Sequence, residues 1–173
     1  TRNTTLGGNK YGLVVVDDFS RFTWVILLKS KEECSEELVN LIRRLQRNLD
    51  QKLSVLHSDN GTEFKNQVIK EFCDSEGITQ SFSMPYTPQQ NGIVERKNRT
   101  LMDMARTLLS DTDLPQTLWG EAILCATHVI NRVTIHKDFK KTPYELIKDR
   151  APTVRYFKSF GCQCIMLKRK DSR

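Results

Sequence analysis

The chain has 173 residues, of which 38% are hydrophobic, and this suits one domain plus an appendage around a single core. Its formal net charge is +6 and its pI is about 9.1, which favours a polyanionic partner, although a mildly basic surface is also compatible with simple solvation. The sequence has no long apolar run and no signal peptide, so we expect neither a membrane protein nor a secreted one.

The cysteines indicate a reducing compartment. There are five, scattered along the chain and odd in number, which is not the pattern of a disulfide framework. No Cys-x-x-Cys is present, Cys162 and Cys164 are too close together for the usual zinc spacing, and the three histidines form no ligand pattern. We therefore expect an intracellular protein without a structural zinc.

The first fifty residues predict a β-hairpin followed by a helix. Two β-branched and aromatic runs, 11–16 and 22–28, flank the sequence Asp-Asp-Phe-Ser-Arg. Ser30 and Glu33 then have the spacing of a capping box. Apolar residues recur after them at i, i+3, i+4 and i+7, which is typical of an amphipathic helix.

The middle of the chain alternates short strands with a helix. Strands are predicted at 53–58 and 78–83. Between them, the helix predicted at 66–77 ends at a glycine, Gly77. A loop rich in proline and glutamine, 86–92, comes after the second strand.

Two long helices are predicted next, from 93 to 109 and from 116 to 133. The tail is expected to carry a short helix within 142–150 and a strand within 161–170. The order of hairpin, helix, strand, helix, strand and helix is an α/β pattern around a mixed sheet.

Two carboxylates are the candidate chemical groups. Asp59 directly follows a predicted strand, at the end where α/β sheets tend to place their chemistry, and Asn60-Gly61 predicts a turn there. Glu95 begins the first long helix, with 35 residues between it and Asp59. A pair of carboxylates at one sheet edge can bind a hard divalent cation.

The helix that begins near Glu95 is also basic. At about 100° per residue, one stripe is apolar and a second stripe, a quarter turn away, contains Glu95, Arg99, Met102 and Arg106. Glu95 is thus predicted at the rim of the buried face. We interpret the neighbouring basic residues as a stripe that contacts phosphates, consisting of Arg96, Lys97, Arg99 and Arg106.

Each of these features also has a plainer explanation. Asp-Asn-Gly is most often only a turn, a glutamate at a helix start is often favoured by the helix dipole, and basic residues on a helix are usually a solvated face. Their occurrence together favours metal-assisted phosphoryl chemistry, which needs acidic residues to bind the metal and basic residues to bind the nucleic-acid backbone. His57, Ser58 and Asp59 cannot form a nucleophile relay because adjacent strand residues point to opposite faces.

Four stretches of the sequence carry a resemblance to a known family. In order, they are VVVDDFSRFTWVILLKSKEE, LHSDNGTEF, GITQSFSMPYTPQQNGIVERKNRTLMDMAR, and TPYELIKDR with FKSFGCQC. Together they resemble the integrase core of copia-type long-terminal-repeat retrotransposons over nearly the whole chain. The resemblance is specific because SDNGxEF and PYTPQQNGxxERKNRT occur together at the expected separation.

This resemblance implies an RNase H-like fold, with a mixed central sheet flanked by helices, and a polynucleotidyl transferase that trims the 3′ ends of element DNA and joins them to target DNA. It implies that Asp59 and Glu95 are the second and third members of a carboxylate triad that holds two Mg²⁺ or Mn²⁺ ions. It further implies DNA and further copies of the chain as partners, in the nucleus or a cytoplasmic particle. The DNA contacts that it implies are Tyr86, Gln90, Asn91, Asn98 and Arg99.

The first member of the triad is expected to be missing. In the family it lies on the strand before the hairpin, in an Asp-x-x-Gly-Pro stretch, and the opening TRNTTLGGNKYG resembles the residues that come after this stretch in the family. We expect the aspartate and its strand to lie upstream of Thr1, and Asp17 and Asp18 to hold the hairpin turn. The chain by itself would then be inactive, and 11–16 would lie at a frayed sheet edge.

The expected organisation is an N-terminally truncated integrase core over 1–112, a helical segment packed on it over 113–141, and a tail over 142–173 that leads to the next polyprotein region. Two alternatives stay open. An RNase H-type nuclease or a cut-and-paste transposase would share the fold and metals, although the PYTPQQNG loop favours an integrase. A non-catalytic DNA-binding or assembly module, from a decayed or truncated element, belongs to a different class.

Overall fold

The structure is a computed structural model that describes residues 3–83 and 92–165. It places a β-hairpin between two layers of helices, and a second pair of strands packs against one of these layers. The strands are β1 (Tyr11–Val16), β2 (Thr23–Leu28), β3 (Val55–Ser58) and β4 (Thr79–Phe82). The helices are α1 (Cys34–Leu49), α2 (Gln67–Glu76), α3 (Gly92–Ser110), α4 (Trp119–Val133) and α5 (Pro143–Lys148), with a single 3₁₀ turn, Gln116–Leu118, before α4.

The β1–β2 hairpin is antiparallel, as the sequence predicts, and its turn is held by both aspartates. The Asp17 carboxylate accepts hydrogen bonds from the Ser20 backbone N–H at 2.8 Å and from the Ser20 hydroxyl at 2.6 Å. Asp18 forms an ion pair with Arg21 across the same turn. The two aspartates therefore stabilise the hairpin locally.

The second pair, β3 and β4, is parallel and is connected by α2. The Asn66 side chain caps α2 by accepting a hydrogen bond from the Ile69 N–H at 3.1 Å. The helix ends where predicted, at Gly77, whose φ of 71° is a left-handed conformation that glycine adopts without strain.

The described strands form two separate two-stranded sheets, so the outer edges of β1 and β3 have no partner strand in the described residues. In the hairpin, the Asp17 N–H donates to the Phe22 carbonyl. In an antiparallel pair, every second residue bonds to the partner strand in this way, and the residues between them direct their backbone groups to the other side. The backbone groups of Gly12, Val14 and Val16 therefore point away from β2. Within the described residues these groups have no strand partner, which agrees with the frayed edge expected for β1.

The edge of β3 is open in the same way. The Ser58 carbonyl accepts a hydrogen bond from the Ser83 N–H on the β4 side. The backbone groups of Val55 and His57 then point to the opposite side, since successive residues of a strand alternate. Val55 is an apolar residue with 51% of its surface exposed, which marks this edge as uncovered in the described part of the chain.

Apolar side chains from both faces of the hairpin build the core. One face contributes Leu13 and Leu28 to a cluster with α1 and α2, and Leu56 of β3 packs against the same cluster. The other face contributes partly buried residues to a second cluster, formed by α3 and α4. The hairpin residues in this second cluster are Val14, Val25 and Leu27.

The short helix α5 is anchored at its start. The Thr142 hydroxyl accepts a hydrogen bond from the Glu145 N–H, and the Glu145 carboxylate accepts one from the Thr142 N–H at 2.7 Å, so the two residues form a capping box. Pro143 is buried, and the Arg132 guanidinium of α4 lies 4.5 Å from the Tyr144 ring centroid. The first residues of the segment predicted as a tail thus pack against α4.

Two local predictions were wrong. The capping box expected at Ser30 and Glu33 is absent, because α1 begins later, at Cys34, and the Glu33 carboxylate instead accepts a hydrogen bond from the Lys29 N–H at 2.8 Å. No strand forms over 161–165, and the rest of that predicted strand, 166–170, lies outside the described residues. No helix in the described parts is both long and apolar enough to cross a membrane.

Candidate active site

Asp59 lies directly after β3, at its carboxyl end, and its carboxylate is exposed. The Oδ1 atom accepts a hydrogen bond from the Gly61 N–H at 3.0 Å, which closes the predicted turn. The Asn60 side-chain amide donates to the Ser83 carbonyl at 2.8 Å, which attaches the turn to the end of β4. The turn that carries Asp59 is therefore joined to both parallel strands, since it continues β3 and Asn60 ties it to the end of β4.

A second carboxylate, which sequence reasoning did not select as a site residue, stands next to this turn. A Cβ atom added at Gly61 would lie 2.8 Å from Glu63 Oε2 and 3.0 Å from Asp59 Oδ1, so the two carboxylates lie on either side of Gly61 and would have to move to admit a side chain there. Glu63 also lies 3.7 Å from the Lys31 ammonium. The motif SDNGxEF contains this glutamate, so the sequence carried a signal by which Glu63 could have been selected.

The turn is attached to the helices behind it through the backbone of Glu63. The Glu63 carbonyl accepts hydrogen bonds from the Ser35 hydroxyl at 3.2 Å and from the Asn66 side-chain amide at 2.9 Å. Ser35 lies in the first turn of α1, and Asn66 is the cap of α2. Two helices thus hold the loop that carries the acidic residues.

Glu95 lies in the first turn of α3, as predicted, and it is exposed. Asn98, three residues later, lines a cavity of about 360 Å³, which we call the edge cavity. The same cavity is lined by Glu63, by the open edge of β1 and by apolar residues of the helices. These further lining residues include Tyr11, Gly12, Leu13, Val14, Cys34, Phe64, Met102, Trp119 and Ile123.

The Cys34 thiol in the edge cavity is affected by two carboxylates. Burial, together with the charges of Glu63 and Asp59, raises the pKa of this thiol to about 11. Cys34 therefore stays protonated at neutral pH. Two lysines, Lys10 and Lys31, bring positive charge to the same cavity.

The chemistry of the predicted metal ligands suits a hard cation. Asp59 and Glu95 offer exposed carboxylate oxygens, and Mg²⁺ in proteins is usually held by one or two carboxylates while it keeps several waters. The pair thus fits Mg²⁺ or Mn²⁺ by donor type. Within residues 3–83 and 92–165, no group of three or more His, Cys, Asp or Glu side chains is placed to hold a metal ion.

The four basic residues predicted as one phosphate-binding stripe do not share a surface. At about 100° per residue, Arg99 and Arg106 lie on the Glu95 side of α3, whereas Lys97 is rotated by about 160° from both Arg99 and Glu95. Arg106 donates a hydrogen bond to Asp103 at 2.7 Å, and Lys97 is half-buried. The prediction of a single stripe was wrong because helix rotation separates neighbours in sequence.

Three predicted DNA contacts, Tyr86, Gln90 and Asn91, lie outside the described residues. Asn98 and Arg99 are described and exposed, and Asn98 faces the edge cavity.

Comparison with known proteins places this geometry among integrases. A family model described as Integrase core domain matches residues 2–88. The chain is 34% identical, over 169 residues that cover 98% of it, to the retrovirus-related Pol polyprotein from transposon TNT 1-94 of Nicotiana tabacum. The chain spans 13% of the length of that polyprotein.

Solved structures agree with the predicted fold class. The structure resembles a chain of the simian T-cell lymphotropic virus intasome in complex with the PP2A regulatory subunit B56 gamma, with a TM-score of 0.63 and 25% identity, over 90% of this chain and 53% of that one. It also resembles the HTLV-2 integrase catalytic core domain in complex with magnesium, in a trimeric form, with a TM-score of 0.58 and 25% identity, over 79% of this chain and 93% of that one. The RNase H-like α/β fold predicted from the sequence is confirmed.

Proposed function

The chain belongs to the integrase core domain family, and from that premise we propose that it is the core of a retrotransposon integrase. In this proposal the chain binds DNA and, as part of the intact protein, carries out metal-dependent trimming and joining of DNA 3′ ends. The observation that carries the proposal is the edge cavity, which is lined by Glu63 of the loop after β3, by Asn98 of the helix that carries Glu95 and by the open edge of β1. Asp59 and Glu95 themselves do not line it.

Asp59 and Glu95 are the proposed metal ligands. The Gly61 N–H occupies Asp59 Oδ1, and this leaves Oδ2 of the same carboxylate for an ion. The carboxylates of Asp59 and Glu63 both lie beside Gly61. A divalent ion, when bound, would activate the attacking oxygen and stabilise the leaving one. A solved neighbour of this fold, the HTLV-2 core, is described in complex with magnesium.

We propose that a third carboxylate comes from outside residues 1–173, on a strand that pairs with the open edges of β1 and β3. Both edges present unpaired backbone groups in the described residues, and such edges favour the addition of a strand. A strand between them would join the two sheets into one mixed sheet. The 173-residue chain alone would then bind DNA but would not join it.

The two aspartates within the chain are poorly placed to supply that carboxylate. Asp17 and Asp18 follow the far end of β1, about 20 Å from Tyr11 at a rise of about 3.3 Å per residue. Tyr11, at the opposite end of β1, lines the edge cavity together with Glu63. Both aspartates are also engaged, Asp17 with Ser20 and Asp18 with Arg21.

Partners and location are inferred from the proposed reaction. The substrates would be the ends of the element DNA and a target DNA, in the nucleus or in a cytoplasmic particle. We propose that the intact protein is a homo-oligomer, since the HTLV-2 core that resembles this chain is described in a trimeric form.

A non-catalytic DNA-binding or assembly module is the second candidate function. It is favoured by the lack of a complete ligand set, because the described residues contain no group of three or more acidic, histidine or cysteine side chains placed to hold a metal ion.

A joining assay with two lengths of the chain tests the proposal. The 173-residue chain and a version extended upstream through the next strand are incubated with Mg²⁺, labelled DNA ends and a plasmid. We expect joining by the extended chain alone, and its loss in Asp59→Asn and in Glu95→Gln. Asp111→Asn, an exposed residue beyond the end of α3, is the control and should remain active.

Joining by the 173-residue chain itself would contradict the missing-carboxylate proposal. An extended chain that binds DNA but never joins it would favour the second candidate function.

A further inference from the structure

A second cavity lies on the other side of α3. It has a volume of about 340 Å³ and is bordered by the hairpin turn, the first two turns of α3 and the end of α4. We call it the basic pocket, because three of its lining residues are cations. The polar lining residues are Arg21, Arg96, Lys97, Thr100 and Thr134, and the walls are isoleucines.

The cations of the basic pocket are close enough to affect one another. Arg21, Arg96 and Lys97 line the same small space, and Lys97 is half-buried in it. The Arg96 guanidinium folds back over the start of α3, since its Nη1 lies 3.6 Å from the position of a Cβ built on Gly92. Three like charges in one half-buried space repel one another unless an anion is present.

The positive charge is only partly neutralised by the protein. Arg21 pairs with Asp18, whose side chain is 88% exposed. Among the described residues, neither Arg96 nor Lys97 has a carboxylate partner. Residues 84–91, which precede α3 in the sequence, contain no aspartate or glutamate. The described residues therefore leave positive charge in the pocket that an anionic ligand would neutralise.

The chemistry of the pocket suits a phosphate group. Guanidinium groups match phosphate oxygens in a planar fork, and a lysine adds a compact point charge. The positive end of the α3 dipole lies at the same place, because Arg96 and Lys97 belong to the first two turns. An ordinary solvated basic face would instead expose its lysine fully, whereas Lys97 is half-buried between α3 and the hairpin turn.

We infer that the basic pocket binds a backbone phosphate of the DNA. This inference rests on the proposed function and adds to it a second contact, remote from the chemistry. Lys97 is rotated by about 160° from Glu95 around α3, so the pocket anchors the nucleic acid away from the metal ligands. DNA that runs along α3 would then be held on two faces of the same helix.

The salt dependence of DNA binding tests this inference. Affinities of the intact 173-residue chain for a labelled random duplex are measured between about 50 and about 200 mM salt. The slope of log K against log salt is about −0.9 for each phosphate contact. Lys97→Met and Arg21→Gln should each reduce the slope by up to about 0.9. Each should therefore lose about 3.5-fold more affinity at the lowest salt than at the highest.

The matched control is Arg44→Gln, an exposed arginine on α1, in the opposite helical layer. It should leave the slope unchanged. Asp18→Asn is expected to act in the opposite direction, because it frees Arg21, and should strengthen binding by roughly twofold. Thermal unfolding of each variant separates a loss of binding from a loss of folding.

A titration with inorganic phosphate, followed by amide NMR, gives a second readout. We expect shifts at Lys97 and Thr100 in the parent chain and their loss in Arg21→Gln. If Lys97→Met and Arg21→Gln both kept the salt slope of the parent chain, the inference that the basic pocket binds a phosphate of the DNA would be overturned. The proposed function would be unaffected. A parent chain with no salt-dependent DNA binding would overturn both. Phosphate shifts without any effect on DNA binding would assign the pocket to free phosphate and would also overturn the inference.

Discussion

Asn131 of α4 makes two hydrogen bonds to the backbone of Thr23 at the start of β2. Its side-chain amide donates to the Thr23 carbonyl at 2.7 Å, and its side-chain oxygen accepts from the Thr23 N–H at 2.9 Å. Both residues are buried, with 3% and 1% of their surfaces exposed. The Asn131 side chain thus pairs with the outer edge of β2 as a neighbouring strand would.

Replacing Asn131 by alanine is expected to destabilise the chain strongly. The change would leave a buried N–H and a buried carbonyl without partners, which costs about 2–4 kcal/mol in total. Urea unfolding measures the loss. Thr23→Val is the control, since it keeps the backbone groups that Asn131 contacts and should cost less. An Asn131→Ala variant within about 0.5 kcal/mol of the parent would contradict the role of this pair.

The helical segment predicted over 113–141 is expected to be essential for folding. Leu101 of α3 is fully buried in a cluster that α4 completes, and Asn131 ties the same helix to β2. A chain that ends at residue 112 should therefore lose cooperative unfolding and bind a hydrophobic dye. A chain that ends at residue 150 keeps α5 and should unfold cooperatively. Equal cooperativity in the two would show that α4 is only peripheral.

Much of the fold could be predicted because its signals are local. The hairpin, the end of α2 at Gly77 and the two long helices each depend on a short stretch of side chains. Asp59 was located by the same kind of signal, the Asn60-Gly61 turn after a strand. These predictions succeeded because turn residues and apolar periodicity act over a few positions.

The rest depends on contacts between distant parts of the chain. The Ser30 and Glu33 spacing failed because Glu33 bonds to the Lys29 N–H instead of capping the helix. The basic pocket joins Arg21 of the hairpin turn to Lys97 of α3, and no sequence periodicity connects these two positions. The placement of Lys97 and Arg99 on different sides of α3, by contrast, could have been predicted from the sequence, because it follows from the rotation of about 100° per helical residue alone.

The raised pKa of Cys34 predicts a specific pH dependence of stability. A thiol whose pKa is about 11 in the folded state, against an ordinary value of 9.0, binds its proton more tightly when folded. Its contribution to stability is therefore complete below about pH 9 and is lost as the pH rises toward about 11. Urea unfolding at several pH values should show a steeper alkaline loss in the parent than in Cys34→Ala. Parallel profiles would contradict this prediction.

Arg99 and Arg106 make a matched pair for testing DNA contacts on the Glu95 side of α3. Arg106 is already paired with Asp103, whereas Arg99 has no carboxylate partner among the described residues. We expect Arg99→Glu to weaken DNA binding more than Arg106→Glu at low salt, and the difference to shrink as salt rises. Fluorescence anisotropy with labelled duplex measures both. An equal effect of the two changes would show that only the net charge matters.

Whether Asp59 and Glu95 share one divalent ion is tested most directly by titrating the chain with Mn²⁺ and recording amide NMR spectra. The paramagnetic ion broadens nearby signals, so residues 59–61 and 94–96 should broaden at the same Mn²⁺ concentration. Either Asp59→Asn or Glu95→Gln should remove both sets of broadening, and Asp111→Asn should leave them unchanged. If Asp59→Asn removed the broadening near residue 59 but left it near residue 95, the two carboxylates would belong to separate sites and the proposed metal centre would be wrong.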